Sequence, residues 1–347
     1  MEPREPLIGK TLTELRELVI ILGLPEYTAT QIAYWLYKRN IESFDEMSNL
    51  SKKVRNQLQE KYSIGFTLPS KVTESVDGTK KYLYPALSGK YIETAYIPEE
   101  RRKTLCVSVQ VGCKMGCLFC MTGKQGFQGN LTSGEILNQL RSLPERKLIT
   151  NVVYMGMGEP FDNLKEMMKS LEILVAEYGF AISAKKVTVS TIGIIPGIRE
   201  FLENSNANLA VSMHSPFDEE RKKLMPIQNI YPIRDVIETI RGFDLDKRRR
   251  VSFEYIMFKG LNDTPSHVKE LARITNGLKC RMNLIRFHPI PGTPLEGSDE
   301  TTIENFVAQL NDKGITATVR ASRGQDIYAA CGLLSTKELL KRKGEQQ

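Results

Sequence analysis

Three cysteines, Cys113, Cys117 and Cys120, stand in the run VGCKMGCLFCMTGKQGF (residues 111–127), with nothing beside them that reads as a fourth ligand. Thiolates at this spacing suit zinc or iron and sulfur. A structural zinc site closes with four ligands, and most four-iron clusters held by protein alone also take four cysteines, so three leave one metal position open. An open iron can seat a substrate; the competing reading is a zinc knuckle that borrows a histidine from elsewhere in the chain. Two further thiols invite chemistry. A period of two puts Leu105, Val107, Val109 and Val111 on one strand face and Thr104, Cys106, Ser108 and Gln110 on the other, so Cys106 turns inward with the polar residues. Cys331, in RASRGQDIYAACG, follows the last β-rich run. The two thiols are expected to face one cavity, against the alternative of two unrelated structural cysteines. Cys280 reads as a small buried hydrophobe.

The elements that must position these groups begin at Leu105. Short β-rich runs (LCVSVQV, NVVYMG, KVTVST, NLAVSMH, VSFEYIMF, RMNLIRF and a last ITATVRA) alternate with amphipathic segments such as TSGEILNQLRSL, LKEMMKSLEILVAEY and PSHVKELARIT. Repeated strand then helix predicts an α/β fold with a parallel sheet, and six such units predict a partial (βα)6 barrel whose chemistry gathers at the carboxyl ends of the strands. The cysteine loop follows the first of these strands. GMGEP, with Gly158 and Glu159, closes the second; Ser190 ends KVTVS; Ser212, Met213 and His214 end NLAVSMH; His288 follows NLIRF. Upstream, TLTELRELVIILGL, TATQIAYWLYKRN and SNLSKKVRNQLQEKY predict helices, the first two opening on a capping threonine, and TKKYLYPALSGKYIETAYIP predicts a β-hairpin around LSGK. The expected organisation is a helical accessory domain over 1–66, a hairpin region over 67–103, the barrel over 104–333 and a C-terminal helix or tail over 334–347.

Composition narrows the class of protein. With 347 residues, 41% of them hydrophobic, the chain supports a normal core. The longest apolar run, LVIILGL, is far too short to cross a bilayer, and six cysteines, half of them clustered, do not make a secreted disulfide scaffold. A cytoplasmic protein without a membrane partner is expected. Lysine and arginine number 48 against 41 acidic residues, a net charge of +7, with runs RRK (101–103), RKK (221–223) and DKRRR (246–250) that suit a polyanion.

The C-x3-C-x2-C order after a β-strand, within a (βα)6 pattern, resembles the radical S-adenosylmethionine (SAM) superfamily. Taken together, CVSVQVGCKMGCLFC, KQGFQGNLT, GMGEP, SMHSP and RGQDIYAACG resemble the RlmN/Cfr family of RNA methyltransferases over nearly the whole chain. That resemblance implies one [4Fe-4S] cluster on Cys113, Cys117 and Cys120. It implies SAM, two molecules per turnover, contacted by Gly158, Glu159, Ser190, Ser212, Met213, His214 and His288, the last standing where the family has an asparagine. It further implies methylation of Cys331, release of the product by a transient disulfide between Cys106 and Cys331, and Glu93 of the hairpin as proton acceptor. The product implied is 2-methyladenosine, in 23S rRNA near the peptidyl-transferase centre before full ribosome assembly and in some tRNAs beside the anticodon. The Cfr relatives methylate carbon 8 instead, and KQGFQGNL is closer to the carbon 2 group. The resemblance also makes the helical domain over 1–66, rich in Lys and Arg and holding the single Trp35, and the basic runs an RNA grip, and a flavodoxin- or ferredoxin-like electron donor and a monomeric state complete the expectation. Two readings of other classes stand beside it: a radical enzyme acting on a peptide or metabolite, with no working Cys106–Cys331 pair, and a zinc-stabilised RNA-binding protein.

Overall fold

The computed structural model describes residues 4–245 and 249–336. Part of the basic run at 246–250 and, from residue 337 on, the expected C-terminal helix or tail lie outside the described residues. Helix α1 (Leu12–Ile21) opens on Thr11, whose hydroxyl accepts from Glu14 N while the Glu14 carboxylate accepts from Thr11 N, the capping box that TLTE encodes. Helix α2 (Tyr27–Ala33) departs from the expected threonine start: its N-cap is Glu26 and Thr28 is buried within the first turn. Pro25 leads the chain in, and a proline is best placed just ahead of or at a helix start, so the turn begins earlier than the threonine. At Ala33 the helix widens directly into a π-helix, Tyr34–Arg39, ended by Asn40 in the left-handed region at φ 56°. Helix α3 (Lys52–Lys61) is capped by Ser51.

The hairpin forms as β2 (Lys80–Pro85) and β3 (Tyr91–Pro98), with β1 (Lys71–Glu74) on its outer side. Strand β3 then pairs antiparallel with β4 (Lys103–Cys106), so the hairpin is continuous with the barrel sheet. From β4 onward neighbouring strands of this sheet pair in parallel, through β5 (Asn151–Tyr154), β6 (Val187–Thr191), β7 (Asn208–Ser212), β8 (Val251–Met257), β9 (Cys280–Arg286) and β10 (Thr316–Val319). The ten strands lie in chain order across one sheet, and β10 is its edge. Helices lie between the parallel neighbours in the chain: α4 (Met121–Gln125), α5 (Ser133–Arg141), α6 (Leu164–Val175), α7 (Ile195–Asn204), α8 (Asp218–Leu224), α9 (Ile233–Arg241), α10 (Pro265–Ile274) and α11 (Glu300–Asp312). The parallel strands and their crossover helices form an open, partial α/β barrel, as the repeated strand-then-helix pattern predicts.

Strand periodicity decides what faces the lumen. In β8, Val251, Phe253, Tyr255 and Met257 enter the core, while Ser252, Glu254 and Ile256 line the cavity on the other face. The same alternation sends Val187 and Val189 of β6, Leu209 and Val211 of β7, and Met282 and Leu284 of β9 to the core. Thr188, Ser190, Asn208, Ser212, Arg281 and Asn283 are left to the lumen.

Candidate active site

The lumen is a cavity of about 610 Å³ that all three loop cysteines, Cys106 and Cys331 line together. The run expected as one strand over 105–111 is interrupted after Cys106. Residues 107–109 stay extended, Val107 N donating to Val153 O at 2.9 Å and Val109 N to Met157 O at 2.9 Å. Gln110–Val111 pairs instead with Gly129–Asn130, closing the neck of the cysteine loop. At that neck Gly112 has φ +71°, and a β-carbon there would lie 1.7 Å from Gly126 O, so only glycine fits. The face assignment holds through the break: Leu105, Val107, Val109 and Val111 all enter the main core, and Cys106 sits with Ala95 and Ala329 at the cavity wall.

The cysteine loop is strapped to the segment that carries Cys331. Met121 N donates to Gly332 O at 2.8 Å, the Thr122 hydroxyl to Leu334 O at 2.6 Å, and Gln125 Nε2 to the Thr336 hydroxyl at 2.8 Å. Burial, and then the neighbouring cysteines and acidic groups, push Cys113 up to about 12; Cys117 lies well above the ordinary thiol value and Cys120 above it for the same leading reason. Three thiolates here need a cation to hold them. The three cysteine thiols line one wall of the cavity, and this donor set fits a polynuclear iron–sulfur cluster with one iron left open.

Beside the loop, Gly156 and Gly158 bring bare backbone to the lumen. A β-carbon on Gly156 would stand 2.6 Å from Ser108 Oγ, and one on Gly158, at φ +97°, 2.5 Å from Gln110 Cβ. Glu159 is 3% exposed and burial pushes its carboxyl up to about 7. One oxygen accepts from Phe161 N at 3.1 Å and the other from Ile192 N at 3.0 Å, fastening the end of β5 to the end of β6. Ser190, Ser212, His214 and His288 line the cavity as well. His214 Nδ1 accepts from Ile256 N at 3.0 Å, which leaves the proton on Nε2, and burial pulls the imidazole down to about 3, so it is a neutral donor. His288 Nε2 shares a hydrogen bond with Ser322 Oγ at 3.0 Å.

Two of the expected groups sit outside the lumen wall. Met213 is wholly buried in the main core, because the period of two that gives Ser212 to the cavity sends its neighbour the other way. Glu93 is no solvated hairpin charge: it is 6% exposed, 3.1 Å from Lys81 Nζ, and accepts from Ser335 N at 3.0 Å, just behind the Cys331 segment. Two lumen groups and one buried group behind the strand ends escaped the sequence reading. Arg320, directly after β10, reaches Met155 Sδ at 3.2 Å, and the Cys331 charge holds its guanidinium protonated against burial. Glu254 accepts from Ser252 Oγ and Asn283 Nδ2 on one oxygen, while the other has no protein partner. Arg221, 0% exposed, donates to Ile192 O, Ser212 O and Met213 O and so aligns the ends of β6 and β7. Arg320 follows a strand end and Glu254 falls on the lumen face of VSFEYIMF; both were detectable by rules already applied to their neighbours.

Comparison with known proteins agrees with this geometry. The radical SAM superfamily profile matches residues 107–273, and that of the ribosomal RNA large subunit methyltransferase N-terminal domain matches residues 6–64. A Bacteroides thetaiotaomicron protein named as a probable dual-specificity RNA methyltransferase RlmN is 53% identical over 336 residues, covering 97% of each chain. The dual-specificity RNA methyltransferase RlmN of Syntrophus aciditrophicus is 41% identical over 95% of this chain and 96% of its own. A crystal structure of a radical SAM methyltransferase from Sphaerobacter thermophilus superposes with a TM-score of 0.89 at 40% identity, covering 95% of this chain and 99% of that one.

Proposed function

The chain belongs to the RlmN family of radical SAM dual-specificity RNA methyltransferases, and we propose that it methylates carbon 2 of adenine in 23S rRNA near the peptidyl-transferase centre and, in some tRNAs, beside the anticodon. The observation that carries this reading is the presence of Cys106 and Cys331 on one cavity with the cysteine loop, whose straps tie it to the Cys331 segment. Carbon 2 lies between two ring nitrogens and is too electron-poor to attack a methyl sulfonium, so a protein sulfur must carry the carbon to it.

Cys113, Cys117 and Cys120 would hold a [4Fe-4S] cluster, with SAM against Gly156, Gly158 and the β6 and β7 strand ends; when bound, the pair supplies an electrophilic methyl group and a hydrogen-abstracting carbon radical. Division of labour between the other two thiols follows from their surroundings. Burial pushes the Cys106 thiol up to about 12, which holds it protonated until the adduct has formed, while Cys331, half-buried on the same cavity, takes the methyl group by displacement. The carbon on Cys331, a radical after losing one hydrogen atom, would bond to carbon 2; the adduct radical would then give up one electron, returned to the bound cluster, and its carbon 2 proton, taken by Glu93 once released from its contacts behind the loop. Cys106, giving up its thiol proton, would attack the Cys331 sulfur; the sulfur–carbon bond breaks with its electron pair on the carbon, which takes up a proton to become the product methyl group, and a disulfide is left. A flavodoxin- or ferredoxin-like donor would provide the electrons, to a monomer.

The test is nucleoside mass spectrometry of 23S rRNA and tRNA after anaerobic incubation with cluster-reconstituted protein, reductant and methyl-labelled SAM. Labelled 2-methyladenosine is expected. Labelled 8-methyladenosine would overturn the carbon 2 assignment, and no labelled nucleoside from protein with an intact cluster would sink the proposal.

A further inference from the structure

A second concavity, of about 810 Å³, lies where the N-terminal helices meet the barrel. That is within the range of about 300–1,000 Å³ typical of small-molecule sites. One wall is the π-helix, which presents Trp35, Lys38 and Arg39; the other is the short turn Arg146–Leu148, which presents Arg146 and Lys147. A π-turn inside a helix is rare and found most often at functional positions. Trp35 Nε1 donates to Asn49 Oδ1 at 2.5 Å, fixing the plane of a half-buried indole, and the Arg39 guanidinium stands 5.8 Å from its ring centroid. All four cations are exposed, and among the described residues none of them is in an ion pair. The one carboxylate on the wall, Glu46, is engaged in accepting from Glu42 N and Ser43 N. Asn40 Oδ1, also on the wall, is buried without a protein donor.

We propose that this seam pocket holds one unstacked nucleotide of the RNA substrate, apart from the adenine that is methylated. Phosphates lie on Lys38, Arg39, Arg146 and Lys147, the base stacks on Trp35, and an amino group of the base donates to Asn40 Oδ1. Separated cations with an aromatic platform and a buried acceptor match a nucleotide better than an isolated anion, which would need the charges gathered at one point. The placement supports a bridging role. Ile149 on the pocket wall leads into β5, and Met155 just past the end of β5 lines the catalytic cavity. Six residues of extended chain put the two sites about 20 Å apart. This inference rests on the RNA substrate of the proposed function and adds to it a second anchoring point, of fixed separation from the chemistry.

Trp35 is the only tryptophan in the chain, so its emission reports on this pocket alone. Full-length protein is titrated with an unmodified tRNA transcript and with a 23S rRNA fragment spanning the peptidyl-transferase region, and binding is followed in parallel by filter retention. The expected result is saturable quenching of Trp35 with the midpoint of filter retention. In Lys38→Ala/Arg39→Ala, affinity should fall about tenfold at physiological salt and the slope of log K against log salt should drop by about 1.5, with Lys38→Arg/Arg39→Lys largely restoring both. RNA retained on the filter with Trp35 emission unchanged overturns the seam site and leaves the methyltransferase reading standing; so does an undiminished salt slope in the alanine variant with an unaltered melting temperature. No RNA retained by the wild-type protein overturns both.

Discussion

The two concavities differ in how they are built. The barrel cavity is walled by strand ends and two loops that single atoms hold in place: a glycine neck with no room for a β-carbon, a carboxylate bridging two strands, straps between the cysteine loop and the Cys331 segment. The seam pocket is walled by exposed lysines and arginines around one fixed indole. Bond-making chemistry needs atoms held to a fraction of an ångström, whereas screened charge acts over about 8–10 Å and tolerates displacement. Damage to the barrel should therefore be close to all-or-none and damage to the seam graded.

The largest effect is expected from Cys331→Ala, which should abolish turnover and leave no methyl on either protein or RNA by intact-mass and nucleoside analysis. Cys106→Ala should also stop turnover, but later, with protein crosslinked to RNA on a denaturing gel. Normal product without crosslink would remove Cys106 from the mechanism and blur the contrast between the regions. Gly158→Ala sets a β-carbon against Gln110 in a left-handed conformation, a strain of about 1–2 kcal/mol before the clash, and should weaken SAM binding to the reconstituted protein at least tenfold by equilibrium dialysis. The smallest effect concerns the turn between β1 and β2. Asp77 accepts from Thr79 N and Gly324 N, and these hydrogen bonds, outweighing burial, lower its carboxyl to about 2. Because the folded value lies below the unfolded one, its stabilisation is present above about pH 4 and lost as pH falls towards 2. Asp77→Asn should flatten that limb of the melting-temperature profile, and an unchanged profile would show that the Gly324 contact does not count.

The same contrast explains what could be read from the sequence. The barrel was legible because strand alternation and cysteine spacing are local: Ser190, Ser212 and Cys106 follow from a period of two. Glu93 was not placed, since its partners Lys81 and Ser335 come from an adjacent strand and from 242 positions away. The break after Cys106 was hidden too, because it depends on buried Gln139 of α5 accepting from Ser108 N and donating to Ser108 O. Of the seam pocket only the basic N-terminal helices with Trp35 were legible; the concavity itself was not, being assembled from residues near 35–46, 140–149 and 180–182.

The straps on the cysteine loop set a clock. Thr122 is made 212 residues before its partner Leu334, and at about 5–20 residues per second that interval is about 10–40 seconds. For that time the nascent loop presents its thiols with the Cys331 side uncovered, and only when the segment around Gly332 docks is the wall finished. Metal loaded during synthesis meets a cradle without its Cys331 wall; metal loaded afterwards meets one with that wall in place.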